Sequence, residues 1–272
     1  SLTVHRSEGL LRCHYCDYRR AVPRACELCA SDTIREFGVG TERVADEVQR
    51  LYPNARVIRM DSDTTTRIGD HARLLDAFGD DGDVLVGTQM VAKGLDFPLV
   101  TLVGVVAADI GLHAPDFRAA ERTFDLVTQV CGRSGRARPG EAVVQTYSPT
   151  HPALIFAADH DYDGFAQNEL AEREHSGFPP ASELIYLGVA GRDRAETLAQ
   201  AQRYASVLEQ GAPAMNVLGP APYPIARLNA DWRFRIALKG NDLDALRTAV
   251  RDVIQPLARA HRTTRLAVIV SP

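Results

Sequence analysis

Lysine is nearly missing from this chain: of 31 basic residues, 29 are arginine and only Lys93 and Lys239 are lysine. Cysteine is sparse too. Five occur in 272 residues, four of them between positions 13 and 29 and the fifth alone at 131, too few and too bunched for a disulfide framework. No apolar run approaches the roughly 18 residues that a membrane-spanning helix needs. The start, SLTVHRSEGL, lacks the basic and apolar regions of a secretion signal, so no membrane association and a cytoplasmic location are expected. An excess of one charge sign is also missing: 31 basic against 35 acidic residues leave −4, which excludes indiscriminate coating of nucleic acid or anionic lipid and makes any DNA contact local. There is no G-x-x-x-x-G-K-[ST] and no D-E-x-H, so these residues hold no Walker lysine and no Mg²⁺-holding carboxylates of that kind.

What is present is ordinary globular material, 45% hydrophobic and 24% charged, enough for more than one domain. Residues 1–37 are short, basic and cysteine-bearing, without the periodicity that builds a core, and read as a metal-held module. From 38 the text alternates helix-like EVQRLY and DHARLLDAF with strand-like ARVIRMD, DVLVGT, LVTLVGVVAAD and EAVVQTYS. Unalternating strands separated by helices predict a parallel sheet buried on both faces. A helix is predicted over 117–131, with Phe117, Ala120, Phe124, Leu126, Val127 and Val130 mostly on one stripe. Helices ended by Gly177 and Pro179-Pro180 place a boundary near 180, giving domains 1–37, 38–179 and 180–272. The last domain reads as strand ELIYLGVAG, a helix, a Pro-rich connection, strand RFRIALKG, one helix LDALRTAVRDVIQPLARA and strand RLAVIV, a small βαββαβ-like unit with helices on one sheet face.

Cys13-His14-Tyr15-Cys16 and Cys26-Glu27-Leu28-Cys29 are two C-x2-C knuckles with nine residues between them. Each offers two thiolates at the reach of tetrahedral zinc. The four could close one site, or each pair could be half of a different one. Cys131 ends an amphipathic helix and reads as packing. After the strand VLV, the run Gly87-Thr88-Gln89-Met90-Val91-Ala92-Lys93-Gly94-Leu95-Asp96 combines small residues that let amides approach a phosphate, donors at Thr88 and Gln89, and a charge at Lys93. Downstream, Gln129, Gly132, Arg133, Gly135 and Arg136 place two guanidiniums three residues apart at a helix end. Arginines so fixed can pair with charge developing on a transferring γ-phosphoryl group.

GTQMVAKGLDF resembles motif five, and QVCGRSGR motif six, of the second motor lobe of superfamily-two helicases. Together with LLRCHYCDYRRAVPRACELC, GVGTERVADEV, MDSDTT and PDFRAAERTFDLVTQVCGRSGR, the chain resembles the PriA family of bacterial primosomal replication restart helicases. The looser C-terminal part of the match is VLGPAPYPIARL, WRFRIALKG and the ending VIVSP. Departures are Asp231-Trp232-Arg233-Phe234-Arg235 and Val268-Ile269-Val270-Ser271-Pro272, where the family often has Gly-x-Tyr/Phe-Arg and Asp-Val-Asp-Pro.

The resemblance implies an α/β RecA-like second helicase lobe with a partial zinc module and a C-terminal DNA-binding domain. It implies an ATP-dependent 3′-to-5′ DNA helicase that recognises stalled forks and initiates primosome assembly. The chain would hold only the latter half of such a protein and should not hydrolyse ATP alone, since ATP and Mg²⁺ are held through the first lobe. Arg133 and Arg136 would face the nucleotide phosphates, with Gln129 and Gly94 in the same nucleotide-binding motifs, and Asp96 would couple nucleotide to DNA. Thr88, Gln89, Lys93 and the loop Gly38 to Thr41 would lie near the translocated strand, reading no sequence. The family binds two zincs through four C-x2-C pairs; Cys13-Cys16 would be an inner pair and Cys26-Cys29 the last outer one. Implied partners are forked and single-stranded DNA, single-stranded DNA-binding protein, primosome proteins and the replicative helicase loader. Between 220 and 272, nine basic residues face four Asp, a local +5. That predicts a DNA-facing surface using Arg233 and Arg235, with Trp232 or Phe234 available for base stacking unless Trp232 is core. The competing reading is a non-catalytic fork-binding scaffold for primosome assembly, its motor decayed; the intact motif-six arginines favour the motor.

Overall fold

The computed structural model describes residues 3–5, 10–12, 19–25, 30, 40–92, 97–112, 114, 116–132, 139–211, 215–261 and 263–270. The chain forms two compact units, one of residues 37–169 and one of 1–36 with 170–272. Among the described residues no helix is long and apolar enough to cross a membrane.

At the N-terminus, β1 (Thr3–His5), β2 (Leu10–Arg12) and β3 (Arg19–Ala21) form a small antiparallel sheet. Arg12 is paired with Arg19. The chain that carries Cys13 and Cys16 therefore leaves and re-enters the sheet at adjacent positions.

The unit 37–169 alternates helix and strand as expected: α1 (Thr41–Leu51), β4 (Val57–Met60), α2 (Asp70–Asp81), β5 (Val84–Gly87), α3 (Gln89–Ala92), β6 (Leu102–Val105), α4 (Asp109–Leu112), α5 (Ala119–Cys131), β7 (Glu141–Val144) and α6 (Pro152–Ala158), followed by α7 (Tyr162–Ser176). β4 pairs with β5 and β6 with β7, both parallel. Burial on both faces holds for the first pair, where Ile58 and Met60 are buried on one side and Val86 on the other. It does not hold for the second. Val105 and Val144 turn toward the α5 core, while Leu102 and Val143, alternating to the other face, are 63% and 57% exposed.

α5 begins two residues later than the sequence pattern suggests, because Asp116 takes over its first turn. Its carboxylate accepts the Arg118 amide at 3.0 Å and pairs with Arg122 at 2.8 Å, an anion at the positive helix end. The buried stripe is Ala119, Thr123, Phe124 and Val127. Phe124 stacks face to face on Phe165 of α7, with centroids 4.2 Å apart and planes within 2°. Cys131 packs against this cluster, and burial pushes its thiol pKa up, which suits a packing role.

In the second unit β8 (Glu183–Gly191), β9 (Asn216–Leu228), β10 (Asp231–Gly240) and β11 (Thr264–Val270) form one antiparallel sheet in the order β11-β8-β10-β9. α8 (Arg194–Gly211) precedes β9, and α9 (Leu243–Ala249), a π turn (Val250–Ile254) and α10 (Gln255–Ala260) precede β11, completing a βαββαβ unit. The core lies between the sheet and these helices: Ile185, Leu187 and Val189 of β8 and Phe234, Ile236 and Leu238 of β10 meet Ala201, Tyr204 and Leu208 of α8 and Leu246, Val250 and Ile254. Two details differ from the sequence reading. The Pro-rich connection is a strand, β9, and it lies at the sheet edge, where Pro220, Pro222 and Pro224 need no donor on the outer side. Its register with β10 shifts twice, and Gly219 takes φ 103°, a backbone only glycine adopts easily. The single long helix is instead interrupted by a π turn just before Pro256, whose ring would strike the carbonyl four residues earlier and which has no N–H to bond it.

Candidate functional site

β4 and β5 run parallel and end together, with Met60 paired to Gly87. The loops that follow them therefore emerge side by side at the carboxyl ends of the strands, the usual ligand edge of an open α/β sheet.

After β4, Asp61 turns inward and is only 4% exposed. Its Oδ1 accepts the amides of Asp63 at 2.9 Å and Thr64 at 3.0 Å. Its Oδ2 accepts the Thr41 hydroxyl at 2.5 Å and forms an ion pair with Arg59, whose Nε lies 3.1 Å away. The Thr65 hydroxyl donates to the Asp61 carbonyl at 2.6 Å. Burial opposes the charge on Asp61, but the Thr41 hydroxyl, the Thr64 amide, Arg59 and the Asp63 amide outweigh it and hold the carboxyl below its ordinary value. Its charged form therefore stabilises the fold at neutral pH, and that contribution is lost as pH falls below about 3.9 toward the depressed pKa.

After β5, Gly87 is required by close approach. A Cβ there would lie 2.0 Å from Val91 Cγ2 and 2.7 Å from the Met60 carbonyl. Gly87→Ala is expected to cost about 2–3 kcal/mol through overpacking, read as a lowered urea midpoint at unchanged slope; an unaltered midpoint would show that the β5–α3 junction can yield. Thr88 and Gln89 are exposed at the start of α3, and Thr88 also closes the turn by accepting the Val91 amide at 3.0 Å. Thr41, Thr88 and Gln89 are thus the strand-track candidates that the structure describes. Lys93, Gly94 and Asp96 lie outside the described residues. Beyond them Phe97 meets Phe78 of α2 edge-on at 4.7 Å.

On α5, Gln129 is exposed one turn before the end. The Gly132 amide donates to the Thr128 carbonyl at 3.0 Å, closing the helix just ahead of Arg133 and Arg136, which lie outside the described residues. A further clamp escaped the sequence reading. Asp109 accepts the Tyr147 amide at 2.9 Å and the Thr146 hydroxyl at 3.1 Å. The Tyr147 amide foremost holds its carboxyl below the ordinary value, with the Thr146 and Ser148 hydroxyls helping. This ties the turn after β6 to the turn after β7.

Cys13, Cys16, Cys26 and Cys29 also lie outside the described residues, among which no cluster of His, Cys, Asp or Glu could hold a metal.

In the C-terminal sheet, Arg233 and Arg235 lie on the face opposite the helices, alternating with buried Phe234. Arg233 sits over the Tyr223 ring at 4.2 Å and Arg235 over Tyr186 at 5.5 Å. The Tyr223 hydroxyl lies so close to Gly188 that a Cβ there would meet it at 2.7 Å, so this ring lies flat on the sheet. The base-stacking expectation is corrected for Phe234, and Trp232 follows the core alternative. Phe234 is 3% exposed in the core, and Trp232 packs against that core with Arg194 and Arg227 near its ring at 5.7 and 5.5 Å. Strand alternation places both on the helix side. The aromatics beside the arginines are Tyr186 and Tyr223, and the alternation Leu184, Tyr186, Gly188, Ala190 within ELIYLGVAG was the signal for the first of them. Lys239, on the same face, donates to the Ser176 carbonyl at 2.7 Å at the end of α7 and covers the Phe178 ring at 4.2 Å. Its role there is a tie, favoured by the helix dipole.

Three family models match the chain: the PriA DNA helicase Cys-rich region domain over residues 1–20, the helicase conserved C-terminal domain over 28–138, and the primosomal protein N C-terminal domain over 174–272. The replication restart protein PriA of Bacillus subtilis is 45% identical over 95% of this chain and 32% of its own length. That of Synechocystis is 44% identical over 88% of this chain and 30% of its own length, and that of Treponema pallidum is 39% identical over 93% and 39%. The chain thus spans about a third of the length of the curated relatives it matches.

Proposed function

Because the chain belongs to the replication restart protein PriA family, we propose that it supplies the second motor lobe, part of the zinc module and the C-terminal DNA-binding domain of an ATP-dependent 3′-to-5′ DNA helicase. That helicase would recognise stalled replication forks and initiate primosome assembly in the cytoplasm. In this reading residues 1–37 are the zinc module, 38–179 the motor lobe and 180–272 the DNA-binding domain. The observation that carries it is the convergence of Thr41, through Asp61, and of Thr88 and Gln89 at the carboxyl ends of the paired strands β4 and β5. Donors gathered at one sheet edge suit a sugar–phosphate backbone, which is gripped without sequence readout.

Lys93 would add a charge to that track, and Asp96 and Gly94 would relay the nucleotide state to it. Arg133 and Arg136 would reach the phosphates of ATP across a cleft whose other wall, a nucleotide-binding lobe, would hold the Mg²⁺. Cys13 and Cys16 would supply two of the four thiolates of one structural zinc site and Cys26 and Cys29 two of the four of another, cross-linking a module too small to fold on its core alone. Partners would be forked and single-stranded DNA, single-stranded DNA-binding protein, the primosome proteins and the loader of the replicative helicase.

The C-terminal sheet would present Arg233 and Arg235 to phosphates. Arg233→Ala combined with Arg235→Ala is expected to weaken forked-DNA binding about tenfold. It should also reduce the slope of log affinity against log salt by between about one and two, measured by fluorescence anisotropy over a salt series. A slope equal to that of the unmutated chain would remove this face from the DNA contact.

A further inference from the structure

The proposed function gives Asp61 no task beyond holding Thr41 at the sheet edge, yet it is a buried carboxylate with both oxygens occupied. Its two oxygens do different work. Oδ1 stays local, accepting the Asp63 and Thr64 amides and so shaping the turn after β4. Oδ2 reaches across the fold to the hydroxyl of Thr41, twenty residues away, with the Arg59 guanidinium beside it. Thr41 is the first residue of α1, and the N-cap, Gly40, has no side chain with which to cap the helix. The tether that fixes this helix start therefore comes from Asp61.

A threonine hydroxyl has one proton, and here it is committed to Asp61. The donor Thr41 retains for a phosphate oxygen is its main-chain N–H, which lies in the first turn of α1 where no helical carbonyl can take it. The Oδ2 bond decides where that N–H stands.

We infer that Asp61 is a positioning residue for strand binding, acting through Thr41. The inference rests on the reading that Thr41 lies on the strand's track. The Arg59 guanidinium keeps the carboxylate ionised and aimed, and the Thr64 and Thr65 hydroxyls brace the turn from behind, Thr64 accepting the Asp61 amide at 2.9 Å and Thr65 donating to its carbonyl. A neutral amide at 61 would keep the Oδ1 bonds but set an NH₂ against Arg59, so Asp61→Asn separates the turn from the tether.

The test is binding of the whole 272-residue chain to a fluorescein-labelled oligo(dT), followed by anisotropy, with thermal unfolding recorded for each variant. Asp61→Asn and Thr41→Val are each expected to weaken binding about five- to tenfold, Thr41→Ser to bind as the unmutated chain does, and the double variant to be no weaker than either single one. If Asp61→Asn fails to fold, Thr41→Val, which leaves the turn intact, carries the test with Thr41→Ser as its rescue. An unmutated chain that does not bind, or Thr41→Val binding normally, overturns the placement of Thr41 on the track. Normal Thr41 sensitivity with full affinity in Asp61→Asn, or two losses that multiply in the double variant, overturns the positioning role alone.

Discussion

Arg133→Ala, tested in a polypeptide of the relatives' full length, is expected to lower DNA-stimulated ATP hydrolysis by about 10³-fold or more. DNA affinity without nucleotide should change little. The size follows from the role proposed for the residue: a guanidinium aimed at the charge that develops on the transferring phosphoryl group, in a water-poor cleft, is favoured in the transition state over the ground state. The described structure supplies the rigid approach. α5 is seated by Phe124 and Val127, 3% and 2% exposed, and the Gly132 amide closes its last turn, so the chain enters motif six from a fixed point. Arg133→Lys should recover little, because an ammonium cannot offer the planar paired donors of a guanidinium. Steady-state turnover at saturating single-stranded DNA is the measurement, and a rate within a few-fold of the unmutated protein would refute the assignment.

The second large effect is on stability. Phe124→Ala is expected to destabilise the unit of residues 37–169 by about 3–5 kcal/mol. It removes a ring stacked on Phe165 at 4.2 Å and near Tyr162 at 6.2 Å, from a cluster in which Ala153 and Ala157 are fully buried. Alanines cannot lean in to fill the space, so the cavity should persist. Urea unfolding of the chain reports it as a fall in midpoint at nearly constant slope. A loss under about 1 kcal/mol would mean that α6 and α7 close over the gap, and that α5 is held from elsewhere. Since α5 leads into motif six, the same variant links core packing to the proposed motor.

How much of this was legible beforehand differs between residues. The helices α1, α2 and α5 and the parallel strands were readable because their apolar periods are local properties of the chain. So was the motif order that marks the family, since it depends on residue type and spacing alone. β9 was not readable. Three prolines between 220 and 224 signal a loop in any local reading, and they are tolerated only because this strand ended at the edge of its sheet. Phe234, read as available for base stacking, is core, and Trp232 takes the core alternative left open for it, for a related reason. Arginine and aromatic alternate along DWRFR, and only the position of α8 decides which set is covered.

Asp61 shows the limit most clearly. One acid in MDSDTT looks like another, and nothing in the sequence distinguishes Asp61 from Asp63. Folding gives the first three hydrogen bonds, an ion pair and burial, and links it to a threonine twenty residues away. The sequence by itself determined the chemical inventory, the near absence of lysine included, and the segments that would become helices or strands. Tertiary structure decided how a given cation is used: Lys239, conspicuous for its rarity, ended as a fastening at the end of α7. The reason is physical. Secondary-structure periods arise from neighbours along the chain, whereas burial, pairing and the facing of a strand are set by segments that the local sequence does not contain.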